Sequence, residues 1–319
     1  MTAEHRPVML EEAVAALDPK DGETVVDATF GGGGHTSRIL QKLAPGGRVV
    51  GVDRDPRAVE RASVLWGDRR FEFVAGAFDE VLWEMVRERE RADAVLFDLG
   101  LSSYQIDEPE RGFSYVREGP LDMRMDPRSG ISAAEYLNSV EENDFARVLT
   151  RYGDVPRAQA RRVAREVARR RPLETTTDLY DAVRAAVGWA ERGGNPAKRV
   201  FQAVRVQVND ELGGLERALA ATEHLLVPGG RLVALTFQSG EDRLVKRFIS
   251  EREGRCVCPP DLPVCVCGAK PVFRRGAVRR PSEAEIEENP RSASARLRVA
   301  IRTSEPPEGA PIEGTGDVS

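Results

Sequence analysis

The sequence predicts an α/β fold in which a mostly parallel sheet carries helices on both faces and an all-helical segment interrupts the alternation. Three observations predict it. Short apolar runs alternate with helical segments through the first hundred residues, a run of four glycines follows the first strand, and the alternation stops after Asp98 to resume near Ala203.

Apolar spacing over Glu11–Leu17 suits a short helix, and Pro19–Gly22 turns the chain into a strand at Thr24–Ala28. Gly31–Gly34 then open a helix that runs to about Leu43, and Arg48–Asp53 reads as a second buried strand. Pro56–Leu65 is helical, Phe71–Ala75 is a third strand, Val81–Arg91 is helical, and Ala94–Asp98 is a fourth strand. Between Gln105 and Ala203 the pattern is helical only, with segments at Ala133–Asn138, Asp144–Arg151, Arg157–Arg170 and Thr177–Trp189. An amphipathic run Ala203–Leu226, a turn at Pro228–Gly230 and strands at Arg231–Phe237 and Ala295–Ile301 return the chain to the sheet. The expected layout is a first sheet part at 1–108, a helical substrate-recognition insertion at 109–202, a second sheet part at 203–302 and a disordered tail at 303–319, which is rich in Pro, Gly and Glu.

Composition narrows the function classes. The 319 residues are 41% hydrophobic and 31% charged, with no apolar run long enough for a membrane span and no signal-peptide core at the start, so a cytoplasmic protein without membrane partners is expected. A net charge of -5 argues against nucleic-acid binding through overall positive charge. Any RNA contact must use local patches, and two exist: Arg157–Arg171 holds seven arginines against Glu166 alone, and Arg274–Arg280 holds four and no acid. A solvated face is the competing reading of each.

The glycine run lets backbone approach a nucleotide-like ligand closely. His35 stands where a phosphate-binding loop needs Lys, and Thr36 and Ser37 stand where a dinucleotide fold wants its third glycine. A nucleoside ligand without phosphates needs only the close-approach glycines, and a tight turn without ligand also remains open. Asp53 ends the second strand about 20 residues on, where an acid can accept from both ribose hydroxyls; a surface acid in a turn with Asp55 is the alternative. Phe78 after the third strand could lie on an adenine ring or in the core. Asp98 closes the fourth strand, where it could accept an N–H from a poorly nucleophilic exocyclic amine, bind a cationic cofactor, or cap the next helix. Cys256, Cys258, Cys265 and Cys267 are spaced one residue apart within each pair, tighter than usual zinc ligands, so no metal is assigned. His5, His35 and His224 are too scattered to suggest a triad.

These residues resemble the bacterial ribosomal RNA small-subunit methyltransferase H family, also called MraW-like. The resemblance runs from about Glu4 to Thr303 through His5–Val8, Asp27–His35, Asp53–Pro56, Asp98–Ser103, Glu110–Ser114, Gly119–Asp126, Phe201–Arg205, Val208–Leu212 and Asn289–Ser292, and Gly119–Asp126 is its most specific run. It implies a Rossmann-like class I methyltransferase sheet and S-adenosyl-L-methionine as cofactor, held by Gly33, Gly34, His35, Asp53, Phe78, Asp98 and Gln105. It also implies transfer to N4 of a decoding-centre (P-site) cytidine in 16S rRNA of the small ribosomal subunit, and a homodimer as one option. The chain departs from the family at Gln238 and Gly240, where the family has His and Leu, and at Tyr152–Val155. A non-catalytic ribosome-assembly factor and a nicotinamide dehydrogenase are the alternatives from other classes.

Overall fold

The computed structural model describes residues 7–188, 195–254, 258 and 270–307, so Cys256, Cys265, Cys267, His5, Trp189 and the end of the expected tail lie outside the described residues. The chain divides into two compact units. One holds the residues up to Asp53, Arg57–Gly100 and those from Gly214 onward; the other holds Arg54–Pro56 and Leu101–Gly213.

The first unit is built in chain order from α1 (Leu10–Leu17), β1 (Thr24–Asp27), α2 (Gly34–Lys42), β2 (Arg48–Asp53), α3 (Arg57–Ala62), β3 (Phe71–Ala75), α4 (Phe78–Arg87) and β4 (Ala92–Asp98). One seven-stranded sheet has the order β3-β2-β1-β4, continued by a fifth strand (Leu226–Thr236), a seventh (Arg296–Arg302) and, at the edge, a sixth (Phe273–Arg279). The first five strands are parallel, and the seventh is antiparallel to both neighbours. Their apolar residues alternate between two cores. Val26, Val50, Val95, Phe97 and Leu232 face a layer with Leu82 and Leu219, while Val25, Val49, Leu96, Val233 and Leu235 face Val14, Leu17 and Ile39. Because both faces are covered, the central strands read as unbroken apolar runs rather than as alternation with polar residues.

The second unit holds α5 (Ser103–Asp107), α6 (Ala133–Ser139), α7 (Glu142–Tyr152), α8 (Arg157–Arg170), α9 (Thr176–Val187) and α10 (Pro196–Val208). Leu137, Phe145, Leu149, Val163, Leu179, Val183 and Phe201 form its own core. The chain returns to the sheet through α11 (Glu211–Leu225) and β5 (Leu226–Thr236), then α12 (Ser239–Arg252), β6 (Phe273–Arg279), α13 (Glu283–Glu288) and β7 (Arg296–Arg302).

Three differences from the sequence reading have local causes. The single run expected over Ala203–Leu226 is two helices, because Asp210 adopts a left-handed φ of 48° and breaks the helix there. The helix expected from Val81 starts at Phe78 and stops at Arg87, followed by Arg89 with a left-handed φ of 62°. Arg274–Arg280, read as a charge patch, contains a strand, since its backbone pairs with β7 although only Phe273 is buried.

A buried polar network organises the second unit and gives a structural use to the most specific sequence runs. Arg111 donates to Asp55 Oδ2 at 3.0 Å and to the carbonyl of Met125 at 2.9 Å. Gln105 donates to the same Asp55 oxygen at 3.2 Å, and Asn209 accepts the Met125 N–H at 2.7 Å while donating to the Met123 carbonyl at 2.8 Å. These bonds tie Asp55 to the Arg111 run, and Asn209 to the Gly119–Asp126 run. Gly112 holds a φ of 73°, and a Cβ there would strike the Pro120 carbonyl oxygen, so only glycine suits the crossing. The unit spans 101–213 rather than the 109–202 expected because these contacts recruit residues on either side.

Removing one member of a buried ion pair leaves the other charge stranded. Arg111→Ala is therefore expected to destabilise the chain by about 3–5 kcal/mol, read as a lower denaturant midpoint, whereas Arg162→Ala on exposed α8 should change it by less than about 0.5 kcal/mol.

Candidate active site

The carboxyl ends of β2, β1 and β4 lie side by side in the sheet, and each ends in an acid. Asp27 pairs in register with Gly51 and Leu96, and Asp53 with Ala75, so Asp53, Asp27 and Asp98 occupy adjacent strand ends about 5 Å apart per strand. The glycine turn is pinned across them. Asp53 Oδ2 accepts the Gly31 N–H at 2.7 Å, Asp27 accepts Thr29 N–H at 3.2 Å and the Thr36 hydroxyl at 2.7 Å, and Thr29 Oγ1 accepts the Asp98 N–H at 2.6 Å. Thr29 and Thr36 have no catalytic signature in the sequence, and only their place on the turn connects them to the strand-end acids.

Gly33 has a φ of 76°, and a Cβ on it would lie 2.6 Å from the Phe30 ring; a Cβ on Gly34 would strike the Pro7 ring. The turn is thus bare backbone leading into the N-terminus of α2. His35, one residue into that helix, is 5% exposed, and its Nδ1 stands 3.5 Å from Asp98 Oδ2. Burial lowers its proton affinity to a pKa of about 4, partly offset by a hydrogen bond to the Val8 carbonyl, so the ring is neutral at physiological pH.

Asp98 behaves oppositely. Burial first, then the neighbouring charges of Asp27 and Glu241, raise its pKa to about 8. A quarter of its side-chain surface still reaches solvent, so the carboxyl is enclosed on most sides and open on one. Asp98 Oδ1 and His35 Nε2 are both buried without a hydrogen-bond partner among the described residues. Orphaned polar atoms beside bare glycine backbone and a strand-end acid suit a polar, cationic ligand with ribose-like hydroxyls. Asp27, held by two hydroxyl and amide donors, is raised by burial to a pKa of about 6.

Phe78 begins α4 directly after β3 and packs edge-on against Phe97 with centroids 5.7 Å apart, so it is half-buried on the core side of that turn. Gln105 sits in the second unit, capping α5 and bonding Asp55. Gln238 is the N-cap of α12: its side chain accepts an N–H of the first turn, while Glu241 Oε2 accepts the Phe237 and Gln238 N–H groups at 2.9 and 3.1 Å. Glu241, 3% exposed and one of the charges acting on Asp98, was not singled out from sequence. Among the described residues no cluster of three or more His, Cys, Asp or Glu could hold a metal, and no helix is long and apolar enough to cross a membrane.

The second unit carries an open groove of about 930 Å³ between α7 and α8, lined by Tyr136, Tyr152, Arg147, Arg151, Arg157 and Arg161 among others. The arginine-rich run is divided in its use. Arg169 and Arg170 pair with Glu166, Arg165 lies 3.9 Å from Glu142, and Arg171 donates to the carbonyls of Leu137 and Val140. Arg157 and Arg161 are left facing the groove.

A carboxyl whose pKa is raised on folding stabilises the fold below its unfolded pKa and loses that contribution as pH climbs through the folded value. The ligand-free chain should accordingly lose stability through Asp98 between about pH 4 and pH 8. Asp98→Asn removes that dependence: its melting temperature should match the wild type near pH 4 and exceed it at pH 8.5, as scanning calorimetry at both pH values would register.

The family model described as the MraW methylase family matches residues 2–303. Among curated proteins, the chain is 74% identical over 304 residues to the ribosomal RNA small subunit methyltransferase H of Rubrobacter xylanophilus, covering 95% of this chain and 97% of the relative. It is 45% identical to the protein of that name from Heliobacterium mobile, covering 94% and 99%, and 46% identical to that of Thioalkalivibrio sulfidiphilus, covering 93% and 97%. With a strand-end site of this kind and a match over nearly its whole length, the chain belongs to the MraW methylase family.

Proposed function

We propose that the chain transfers a methyl group from S-adenosyl-L-methionine to the exocyclic N4 amine of a decoding-centre (P-site) cytidine in 16S rRNA of the small ribosomal subunit. The observation that carries the reading is the pairing of a bare glycine turn with Asp53 on one side and the solvent-facing Asp98 on the other, along one sheet edge. The names of the relatives supply the substrate class.

Gly33, Gly34 and the start of α2 would take the methionine end, Asp53 the ribose hydroxyls and Phe78 the adenine side. His35 and Asp98 would meet the cationic centre, and Gln105 is assigned to the same cofactor through the resemblance. The bound cofactor supplies an activated methyl on a sulfonium, so neither metal nor covalent enzyme intermediate is required. Asp98 then has two tasks. A cation beside it lowers its proton affinity and converts the acid held in the ligand-free chain into a carboxylate. That carboxylate can accept a hydrogen bond from the cytosine amine, turning nitrogen lone-pair density toward the methyl carbon, and can take up the proton the nitrogen sheds once the N–C bond has formed. Neutral His35 keeps a second polar atom available without adding positive charge against a cationic ligand.

The α7–α8 groove supports RNA as the partner, since its four arginines, Arg157 and Arg161 among them, and its two tyrosines offer phosphate contacts and stacking faces. Gln238, the main departure from the family pattern, caps α12, so this replacement gives the assembly-factor reading no structural support. A cytoplasmic location accords with this substrate.

Labelled methyl transfer to small subunits from cells lacking this gene, followed by mass mapping of modified cytidines, tests the assignment; label on another base or none would overturn it. Asp98→Ala is expected to lower turnover at least 100-fold. Asp53→Ala should weaken cofactor binding by about 10-fold to 100-fold in calorimetry, the loss of one or two hydrogen bonds to hydroxyls. Arg157→Ala/Arg161→Ala should leave cofactor affinity unchanged but make RNA affinity less dependent on salt, with the log–log slope shallower by about 1.4.

A further inference from the structure

The second arginine run acquires a position from the sheet register. Because β7 is antiparallel to both β5 and β6, β6 runs parallel to β4, and its C-terminal end lies at the same sheet edge as Asp98. The ladder can be followed across. Asp98 is opposite Leu235, the next residue Thr236 is opposite Arg296, and Leu297 is opposite Arg279. Three interstrand spacings of about 4.8 Å put Arg279 about 14 Å along the rim from Asp98, with Arg280 one residue further.

Both arginines are exposed, and neither has an ion-pair partner among the described residues. Of the acids near that end, Glu283 and Glu287 stand exposed on α13, three and seven residues beyond Arg280, and three others are engaged. Asp242 is shared by Arg298 at 2.7 Å and Arg296 at 3.4 Å, Glu241 caps α12, and Glu285 accepts the Met9 N–H at 2.5 Å. Arg275, by contrast, is matched to Glu253 at 2.7 Å, and Arg274 lies at the opposite end of the strand, paired in register with Ile301. In a chain of net charge -5, two adjacent guanidinium groups without a direct ion pair, at the strand end that shares the rim with Asp98, offer a local anion receptor. Guanidinium forks match phosphate oxygens in bidentate geometry, and an edge strand keeps them accessible.

We propose that Arg279 and Arg280 are a phosphate clamp on the rim of the sheet, gripping the RNA strand a few nucleotides from the base presented at Asp98. The assignment rests on the RNA-methylating reading above. The distance suits it: about 14 Å corresponds to roughly four nucleotides at ~3.4 Å per stacked step, or about two where the strand is unstacked around an extruded base. The clamp carries no base specificity; it fixes the register of the backbone so that one base reaches the acid.

The test uses the full chain and small subunits lacking the modification. Arg279→Glu/Arg280→Glu should raise KM for the subunit at least 10-fold, leave kcat within twofold, and make the salt slope of subunit binding shallower by about 1.4, with cofactor affinity and melting temperature unchanged. Arg274→Glu, the same substitution at the far end of the same strand, should leave KM and slope at wild-type values. If the double variant matches an active wild type in KM and slope, or if Arg274→Glu raises KM equally, the clamp is overturned while the methyltransferase reading stands. A wild-type chain that transfers no methyl overturns that reading and the clamp with it.

Discussion

Acids crowd the carboxyl ends of neighbouring parallel strands in this molecule's sheet. Asp27, Asp53 and Asp98 end three neighbouring strands, and Glu241 sits buried at the start of α12. Asp27 is held by Thr29 and Thr36, and Asp53 takes the Gly31 amide, so both also shape the glycine turn. Asp98 receives no comparable donor on its Oδ1, and burial beside Asp27 and Glu241 makes its ionised form costly. The ligand-free protein is left with an acid that is relieved by an arriving cation. That cost favours a positively charged neighbour over a neutral one of the same shape.

An acidic protein that binds RNA, as proposed above, has to do so through local charge. Overall charge repels a polyanion, so attraction has to be local, and the arginines are sorted accordingly. In α8, those next to Glu166 are neutralised and serve the helix surface, while Arg157 and Arg161 line the α7–α8 groove. On β6 the division runs along the strand: Arg275 is matched to Glu253 and Arg279 is not. Counting arginines in a run therefore overstates what each run offers to phosphate.

Much of the first unit was legible in the sequence because its strands are buried on both faces, and a run such as Val95–Leu96–Phe97 has few other ways to hide its side chains. The break between α10 and α11 was not legible, since it depends on the left-handed backbone of Asp210, and the adjoining Asn209 amide reaches residues more than 80 positions away. Strand β6 was hidden for a related reason: with one buried residue in seven it shows no alternation, and its pairing with β7 is what makes it a strand. At the candidate site, the strand-end positions of Asp53 and Asp98 were readable from spacing. Glu241 was not, because its effect on Asp98 passes through the chain reversal after β5, which no local pattern announces.

The network around Asp55 and Arg111 shows why the most specific run of the sequence need not touch a ligand. Gly119–Asp126 provides the carbonyls and amide that Arg111 and Asn209 require, and its specificity follows from satisfying buried polar groups in one geometry. A polar core is more demanding of identity than an apolar one, since a Leu-to-Met exchange keeps a contact whereas exchange of a buried Asn strands several donors and acceptors at once. Under the proposed function, sequence distinctiveness in this chain has two origins: hydrogen-bond satisfaction within the helical unit, and ligand chemistry at the sheet edge. A variant series that reads stability and methyl transfer separately distinguishes them: on that reading, loss at Arg111 acts first on unfolding and loss at Asp98 first on turnover.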